Sequence, residues 1–494
     1  MPISYSLRQS IKKILQQEQG TIRKVFGSCS SVALCFPNSY HIGASNLGFH
    51  FLYDRINSSD DFLAERFITD ILPPVSLESQ MPLNRFNLIL FSIPFELDFA
   101  SALQLLHDSH IPLKRKDRSP SDPLVLAGGM AVTMNPIPLS PFMDLLVLGD
   151  GEETLPFLLQ SFVEAKGDKI ACLKNLENHE GFFIPGPTWK EETPLPCRSV
   201  CRDLDQHPLA SAFLSPDTEF SNTCLIEISR GCPYHCAFCY VGYNQNPFRL
   251  RSFASIRALV EKNRRRTNRF GFISSAVTAH PDLEELCRWC IEEELDVSFS
   301  SLRVDTLPPA VFELLKKSGQ KTITLAPETG SEAFRKKIQK IISNEEILEG
   351  VRQTLKAGLR NIRLYFILGL PCEGQKEMEE TGKLIHSIHG LMTENEKKTG
   401  KAGEITIGVS FFVPKPGTPL ADFTMPPPED LRRRQKILMA AIKHLSHVRI
   451  HPANPYEAIA QKILSLGGQE TGDLLLEKIK GRLSWKTALK NWNI

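Results

Sequence analysis

The chain has 494 residues, of which 42% are hydrophobic and 23% charged. That is globular composition with length for about three domains, and it excludes a mostly disordered, collagen-like or coiled-coil chain. Its 58 Lys and Arg against 56 Asp and Glu leave a formal charge of +2, so no global field argues for nucleic acid or an anionic membrane. The opening MPISYSLRQSIKKILQQEQG alternates polar and apolar residues like a short amphipathic helix and lacks the apolar core of a secretory signal. No stretch approaches the roughly 18 apolar residues of a spanning helix, so the chain reads as soluble and cytoplasmic, with no transmembrane segment. Twelve cysteines in such a chain argue for metal binding or catalysis wherever they cluster, not for a disulfide scaffold.

After the first helix, apolar runs recur at SVALCFP (Ser31), FNLILFSIP (Phe86), PLVLAGG (Pro123) and MDLLVLGDGEE (Met143), each ending in Pro, Gly or a polar turn. Buried parallel strands read this way, with crossover helices such as LDFASALQLLHDSH between them. Residues 1–165 are therefore expected to form a doubly wound, Rossmann-like α/β domain. Its ligand-binding loops would lie at the carboxyl ends of the strands, at Asn38 to Gly43, Phe95 to Asp98, Gly128 to Thr133 and Gly149 to Glu152. Residues 166–220, with GFFIPGPTW and several prolines, read as a linker with short strands.

A longer alternation starts at 221. Its apolar runs are TCLIEISR, FGFISSAV, DVSFSSLR, KTITLAP, NIRLYFILG and EITIGVSFF, separated by helical patterns that include one continuous stretch, SEAFRKKIQKIISNEEILEGVRQTLKAG. Six strands each followed by a helix predict a partial (β/α)6 barrel over 221–425, with chemistry at the carboxyl ends of the strands. Residues 426–494 read as a helical C-terminal region covering the barrel.

Directly after the first strand of this second alternation comes Gly231-Cys232-Pro-Tyr-His-Cys236-Ala-Phe-Cys239-Tyr240. Three cysteines in a loop leaving a strand can converge on one centre. Closed zinc sites take four ligands and iron–sulfur clusters usually take four thiolates, so three thiolates leave one iron of a [4Fe–4S] cluster open to substrate.

The Cys232-x-x-x-Cys236-x-x-Cys239 pattern at the end of a barrel's first strand resembles the radical S-adenosylmethionine superfamily. SSLRVD at Ser300, TLAPETGSE at Thr324, LYFILGLPCEG at Leu364 and SFFVPKPGTPL at Ser410 resemble the later barrel strands of the branch with an N-terminal cobalamin-binding-like domain; Leu126-Ala-Gly-Gly and Leu148-Gly-Asp-Gly-Glu-Glu fit that domain. The resemblance implies a cluster on Cys232, Cys236 and Cys239 that binds the methionine amine and carboxylate and cleaves the sulfonium reductively to a 5′-deoxyadenosyl radical. It also implies an electron donor such as flavodoxin or ferredoxin. For S-adenosylmethionine it points to Phe238 and Tyr240, which would pack on adenine or equally in the barrel, and to Arg303, Glu328 and Arg335, which would meet carboxylate, ribose or ammonium or else form structural ion pairs. The family's Gly-Gly-Glu-like turn is replaced by Ser274-Ser275-Ala276-Val277-Thr278, where Ser275 and backbone carbonyls would accept from the ammonium.

For cobalamin the resemblance points to Asn38, Ser39, Gly128, Gly129, Gly149 and Glu152. The lower-ligand motif Asp-x-His-x-x-Gly is absent: the segment here is Asn38-Ser-Tyr-His41-Ile-Gly43, so His41 reads as a loop histidine and not as a cobalt ligand. Cys287 and Cys290 read as two packed thiols on a helix, while Cys197, Cys201 and Cys224 are too irregularly spaced to favour an auxiliary cluster. The basic runs at Arg264 and Arg432 read as solvated helix faces, with RNA contact the alternative. Lys415, between two prolines, would help close the barrel mouth or simply sit in a stiffened loop.

Three functions compete on this reading. The leading one is cobalamin-dependent methylation of an unactivated carbon; the second is a radical isomerase, cyclase or dehydrogenase with a degenerate N-terminal domain; the third is a non-enzymatic module stabilised by a metal on its three cysteines. A methylthiotransferase is disfavoured because only Cys29 and Cys35 lie in the first 165 residues, where that branch carries three cysteines. Nothing in the sequence selects the substrate.

Overall fold

The computed structural model describes residues 3–186, 193–300, 302–303, 305 and 307–492. It divides into two compact units, Met1–Arg202 with Gln206–Cys224 and Ile463–Ile494, and Asp203–Asp205 with Leu225–Lys462.

The first unit is built on a six-stranded sheet of β1 (Ser30–Cys35), β2 (Phe62–Phe67), β3 (Leu88–Ser92), β4 (Leu124–Gly128), β5 (Leu145–Val147) and β6 (Phe182–Phe183). The order is β2-β1-β3-β4-β5-β6. The first five are parallel, and the short β6 runs antiparallel to β5. β3 is buried at every position and β1 at five of six, as strands covered on both faces by helices must be. The order reverses between β1 and β3, which makes the loops after these two strands the place where such a sheet binds its ligand.

The edge strand β2 was not among the expected elements. Its sequence, FLAERF, places Glu65 and Arg66 inside a strand that is nonetheless wholly buried, so its apolar run is interrupted by charges that only tertiary partners can satisfy. The stretch read as a linker contains a helix, Lys169–Leu176, capped by Asp168, which accepts from the backbone of Ile170 and Ala171. Cys172 and Leu176 of that helix are buried. Residues 187–192 of the stretch lie outside the described residues. The helices Thr471–Lys480 and Trp485–Asn491, expected over the barrel, belong to the first unit, where Leu475 and Ile479 share its core with Leu105 and Leu106. Asn135 fixes this end of the chain by donating to the carbonyls of Leu464 and Gly467 at 3.0 and 2.9 Å.

In the second unit β7 (Cys224–Glu227), β10 (Arg269–Ile273) and β11 (Asp296–Phe299) form one sheet in the order β11-β10-β7; β12 (Thr322–Glu328), β13 (Asn361–Leu368), β14 (Ile405–Phe411) and β15 (Val448–His451) form another, all parallel. The six expected strands are present, arranged in these two sheets. A cavity of about 60 Å³ lined by Ser298, Ser300, Thr322 and Thr324 lies where β11 faces β12. A two-stranded antiparallel ribbon, β8 (Ser229–Arg230) with β9 (Arg249–Leu250), closes the base of the cysteine loop.

Two expectations need correction here. β15 lies inside the stretch read as purely helical, and its VRIH alternates half-buried and exposed positions as an edge strand should. The long helix expected from Ser331 is two helices, Glu332–Lys337 and Asn344–Lys356. The second starts with a complete capping box: Ser343 accepts from the Glu346 backbone while the Glu346 carboxylate accepts from the Ser343 backbone, an arrangement that ends whatever precedes it. Among the described residues no helix is long and apolar enough to cross a membrane.

Candidate functional site

The loop carrying the three cysteines leaves β7 and β8 and returns through β9. Gly231 opens it at φ 84°, and a Cβ there would lie 2.4 Å from the Gln245 carbonyl oxygen, so the two ends of the loop can close on each other only over a glycine. Cys239 caps the short helix Tyr240–Asn244, and its backbone donates to the Cys236 carbonyl at 2.9 Å. The loop is tied down independently of its sulfurs. Ala237 donates its N–H to the Ile338 carbonyl at 2.9 Å, Tyr243 donates its hydroxyl to the His235 carbonyl at 2.9 Å, and Asn244 donates to the Pro416 carbonyl at 3.2 Å, which ties it to the turn containing Lys415.

All three cysteines are half-buried and unpaired by disulfides. Burial pushes the Cys232 thiol up and the Cys236 thiol up to about 11; the positive charges of Arg303 and Lys340 oppose the shift at both. When thiols in this setting bind a metal centre, their protons are displaced to solvent, and the two cations lower the cost of the negative charge that remains.

Of the residues expected around S-adenosylmethionine, the structure brings Arg303 and Glu328 to the cysteine loop. Arg303 makes a bidentate pair with Asp305, at 2.7 and 3.2 Å, and stacks its guanidinium 4.0 Å from the ring centroid of Tyr234, a loop residue between Cys232 and Cys236. Glu328 ends β12 in the left-handed region at φ 65°, beside a register shift between Leu325 and Glu328. A glutamate held at such a φ is strained, a feature that concentrates at functional sites. Its carboxylate accepts from Lys340 at 2.6 Å, and both side chains are nearly buried. Lys340 was missed in the sequence because it sat inside what read as a continuous helix; the capping box at Ser343 was the signal that 338–343 is a turn.

Arg335 takes a different position. It is wholly buried, and its guanidinium donates to the carbonyls of Ile342 and Thr329 and to Asn344. Its task is to hold the turn that presents Lys340. Phe238 packs against the cluster of Phe334, Ile338, Leu370 and Phe412, and Tyr240 begins the helix after Cys239. Ser275 is exposed, whereas its neighbour Ser274 joins a hydroxyl network with Ser229 at 2.5 Å and with Ser300, which donates to the Ser274 carbonyl at 2.9 Å. That network links β8 with the ends of β10 and β11.

In the first unit two of the expected loops, those after β1 and β3, meet at the switch point of the sheet. Asn38 donates to Asp98 at 2.9 Å across the crevice between β1 and β3, and Ser39 caps the turn Tyr40–Gly43. The glycines have internal neighbours: a Cβ at Gly128 would meet Val147 at 3.3 Å, at Gly129 the Ile93 carbonyl at 2.7 Å, and at Gly149 the Ser199 carbonyl at 2.1 Å. Glu152 is buried at the start of the helix Gly151–Glu164. His41 lies at the surface, 3.1 Å from Asp217 and 3.6 Å from Glu219.

Burial pushes the Asp98 carboxyl up to about 6; Asn38 opposes the shift, and the negative charge of Glu96 adds to it. A carboxyl raised in the fold stabilises the protein below its unfolded value and loses that contribution as pH rises through the folded one. Relative to Asp98→Asn, the wild-type first unit is therefore expected to lose stability as pH climbs from 3.8 to about 6. Melting curves of the two proteins across that range check this; parallel curves would show that Asp98 is not the titrating group.

Cys287 and Cys290 are both buried on the helix Leu283–Glu292, and burial raises both thiols, Cys287 to about 12. Arg264 pairs with Glu293, and Arg433 and Arg434 pair with Asp430, so these parts of the two basic runs are engaged with carboxylates.

The sequence matches two family profiles, "Radical SAM proteins, N-terminal" over residues 48–185 and "Radical SAM superfamily" over 226–385. It is 27% identical over 485 residues to an uncharacterized protein of Methanocaldococcus jannaschii, covering 93% of this chain and 98% of that one. It is 25% identical over 297 residues to an uncharacterized methyltransferase of Pyrococcus horikoshii, covering 57% and 62%. The fold is shared with the cobalamin-dependent S-adenosylmethionine radical enzyme OxsB, solved with aqua-cobalamin and S-adenosylmethionine bound, at a TM-score of 0.51 and 13% identity, over 93% of this chain and 72% of that one.

Proposed function

The chain belongs to the radical S-adenosylmethionine superfamily, whose members use a [4Fe–4S] cluster and S-adenosylmethionine, and on that premise we propose that Cys232, Cys236 and Cys239 hold the cluster in an enzyme that methylates a carbon centre with the help of cobalamin. The observation that carries this reading is the cysteine loop itself: three half-buried thiols in a loop clamped by its own backbone, with Arg303 and Lys340 acting electrostatically on Cys232 and Cys236. Three thiolates suit a four-iron cluster with one iron left for substrate. When bound, the cluster supplies one electron to the sulfonium, so that its bond to the 5′ carbon breaks into methionine and a 5′-deoxyadenosyl radical.

The side chains then have distinct tasks. Arg303, oriented by Asp305 and Tyr234, offers a guanidinium to the methionine carboxylate. Glu328 has acceptor positions beyond the one filled by Lys340, which suit a ribose hydroxyl or the ammonium. The hydroxyls and carbonyls around Ser274 and Ser275 supply further acceptors for the ammonium. Phe238 packs with its apolar neighbours and screens the loop from water.

For the corrinoid, the supports are the shared fold with OxsB, the methyltransferase name of the Pyrococcus relative, and the Asn38–Asp98 contact at the switch point of the N-terminal sheet. His41, paired with acids at the surface, would give cobalt no lower ligand. A second reading keeps the radical chemistry and leaves the sheet without a corrinoid. It is favoured by Gly128, Gly129 and Gly149, each of which is accounted for by a contact within its own unit.

Anaerobic reconstitution with iron, sulfide and hydroxocobalamin, followed by desalting and metal analysis, separates these readings. About four irons per chain with equimolar cobalt supports the methyltransferase. Iron without cobalt supports the second reading, and no iron would overturn both.

A further inference from the structure

Away from the cysteine loop, Glu153, Cys201 and His207 bring a carboxylate oxygen, a sulfur and a ring nitrogen within 4.8 Å of one another. All three belong to the first unit. Glu153 lies in the first turn of the helix Gly151–Glu164. Cys201 is held beside that turn by its own backbone, which donates to the Asp150 carboxylate at 3.0 Å. The segment leading to it is fixed in turn: Asp150 donates to the Ser199 carbonyl at 3.0 Å, and Ser199 donates to the Leu148 carbonyl at 2.9 Å. His207 approaches from the far end of the same segment, with its Nε2 3.6 Å from a Glu153 oxygen.

We propose that these three side chains form a mononuclear site for a borderline divalent transition-metal ion, zinc by preference, outside the radical-chemistry machinery. Thiolate, imidazole and carboxylate together are a zinc-type donor set, whereas magnesium and calcium take oxygen alone. The 3.6 Å separation of nitrogen and oxygen is close to the spacing of two ligands bonded at about 2.0–2.1 Å to one tetrahedral ion. A His–Glu contact alone would be an ordinary half-exposed pair. The fully buried Cys201 pointing its sulfur at the same place is what distinguishes the arrangement.

On binding, the Cys201 thiol gives its proton to solvent and the thiolate coordinates. Three protein donors leave the fourth position to water. His207 also borders a groove of about 800 Å³ that includes Arg55, Glu152 and Gln206, so the ion can be reached from solvent. The ion would join the helix start at 151 to Cys201 and His207 within the first unit.

The test uses the full chain, iron-loaded, incubated with zinc chloride and desalted, with zinc content and zinc-edge X-ray absorption as readouts. About one zinc per chain is expected, with one sulfur at about 2.3 Å and lighter donors near 2.0 Å. Cys201→Ser should remove the sulfur signal. Glu153→Gln, a change at an exposed side chain that leaves the fold intact, and His207→Ala should each weaken zinc binding by more than about tenfold. The Cys232→Ala/Cys236→Ala/Cys239→Ala protein should keep its zinc, which separates this site from metal taken up by the loop cysteines and from any failure of the radical-enzyme reading. Failure to retain zinc, a sulfur signal that survives Cys201→Ser, or unchanged affinity in Glu153→Gln would overturn the proposal.

Discussion

Replacing any one of Cys232, Cys236 and Cys239 with Ala is expected to take the reconstituted protein from about four irons per chain to a small fraction of that, and to abolish reductive cleavage of S-adenosylmethionine to 5′-deoxyadenosine. Two thiolates cannot hold what three were placed to hold. The loop is not expected to collapse in these variants, because its shape rests on backbone bonds such as Ala237 to Ile338 and on the Tyr243 and Asn244 side chains. Loss of iron with an unchanged circular dichroism spectrum therefore reports on ligation and not on folding. Cys287→Ala and Cys290→Ala serve as controls: both thiols are buried in helix packing, and their removal should leave iron and deoxyadenosine formation near wild type. A Cys232, Cys236 or Cys239 variant that kept full iron and wild-type deoxyadenosine formation would sink the assignment.

The three cysteines could be read from sequence because a local motif needs no tertiary information: spacing, a preceding strand and a Gly-Cys start suffice. Arg303 and Glu328 could be proposed for a related reason: Glu328 ends β12 and Arg303 follows β11, and the carboxyl ends of such strands are where ligand sites are expected. Lys340 was hidden by a competing signal. Its stretch has the periodicity of a helix, and only the Ser343–Glu346 capping box marks the break. The place of Arg335 depends on the same turn: with 338–343 folded back, its guanidinium is enclosed by the carbonyls it holds. For Gly149 the sequence offered a Leu-Gly-Asp-Gly-Glu-Glu segment that fits a cobalamin-binding-like domain, while the structure shows its bare face against Ser199, a contact made by a segment fifty residues further along. Glu153, Cys201 and His207 were illegible for the same reason, being brought together by chain packing alone. β2 was missed because its FLAERF carries two charges, and no periodicity rule anticipates that both would be buried.

Those buried charges lead to the largest expected effect on stability. Arg66 is completely buried and pairs with two carboxylates: Nη1 and Nη2 donate to Glu18 at 2.7 and 2.8 Å, and Nε donates to Glu78 at 2.6 Å. Its guanidinium also lies 4.7 Å from the ring of Tyr53 and 4.2 Å from that of Phe213. Burial alone would raise the Glu18 carboxyl, but the charge of Arg66 and bonds from Arg66, Thr21 and Tyr40 bring it below its usual value of 4.5. Arg66→Met keeps much of the volume and leaves two carboxylates facing each other without a cation. Stranding a buried charge in this way costs about 3–5 kcal/mol, a large share of the roughly 5–15 kcal/mol that holds a domain together. In a unit of this size that corresponds to a fall of roughly 10 °C or more in its melting transition. The pH dependence identifies the cause. A carboxyl lowered in the fold stabilises above its unfolded value, and that contribution is lost as pH falls through the folded one; the wild type should therefore weaken below pH 4.5. In Arg66→Met the burial of Glu18 is opposed only by the bonds from Thr21 and Tyr40, its carboxyl rises, and protonation relieves the strain, so the deficit against wild type should be greatest near neutral pH and shrink on acidification. Arg66→Lys, which keeps the charge and loses the fork, should fall between the two. Melting curves of the three proteins from pH 4 to pH 8 decide the matter: a deficit in Arg66→Met that stays constant across this range would assign the loss to packing and remove the ion cluster from the account.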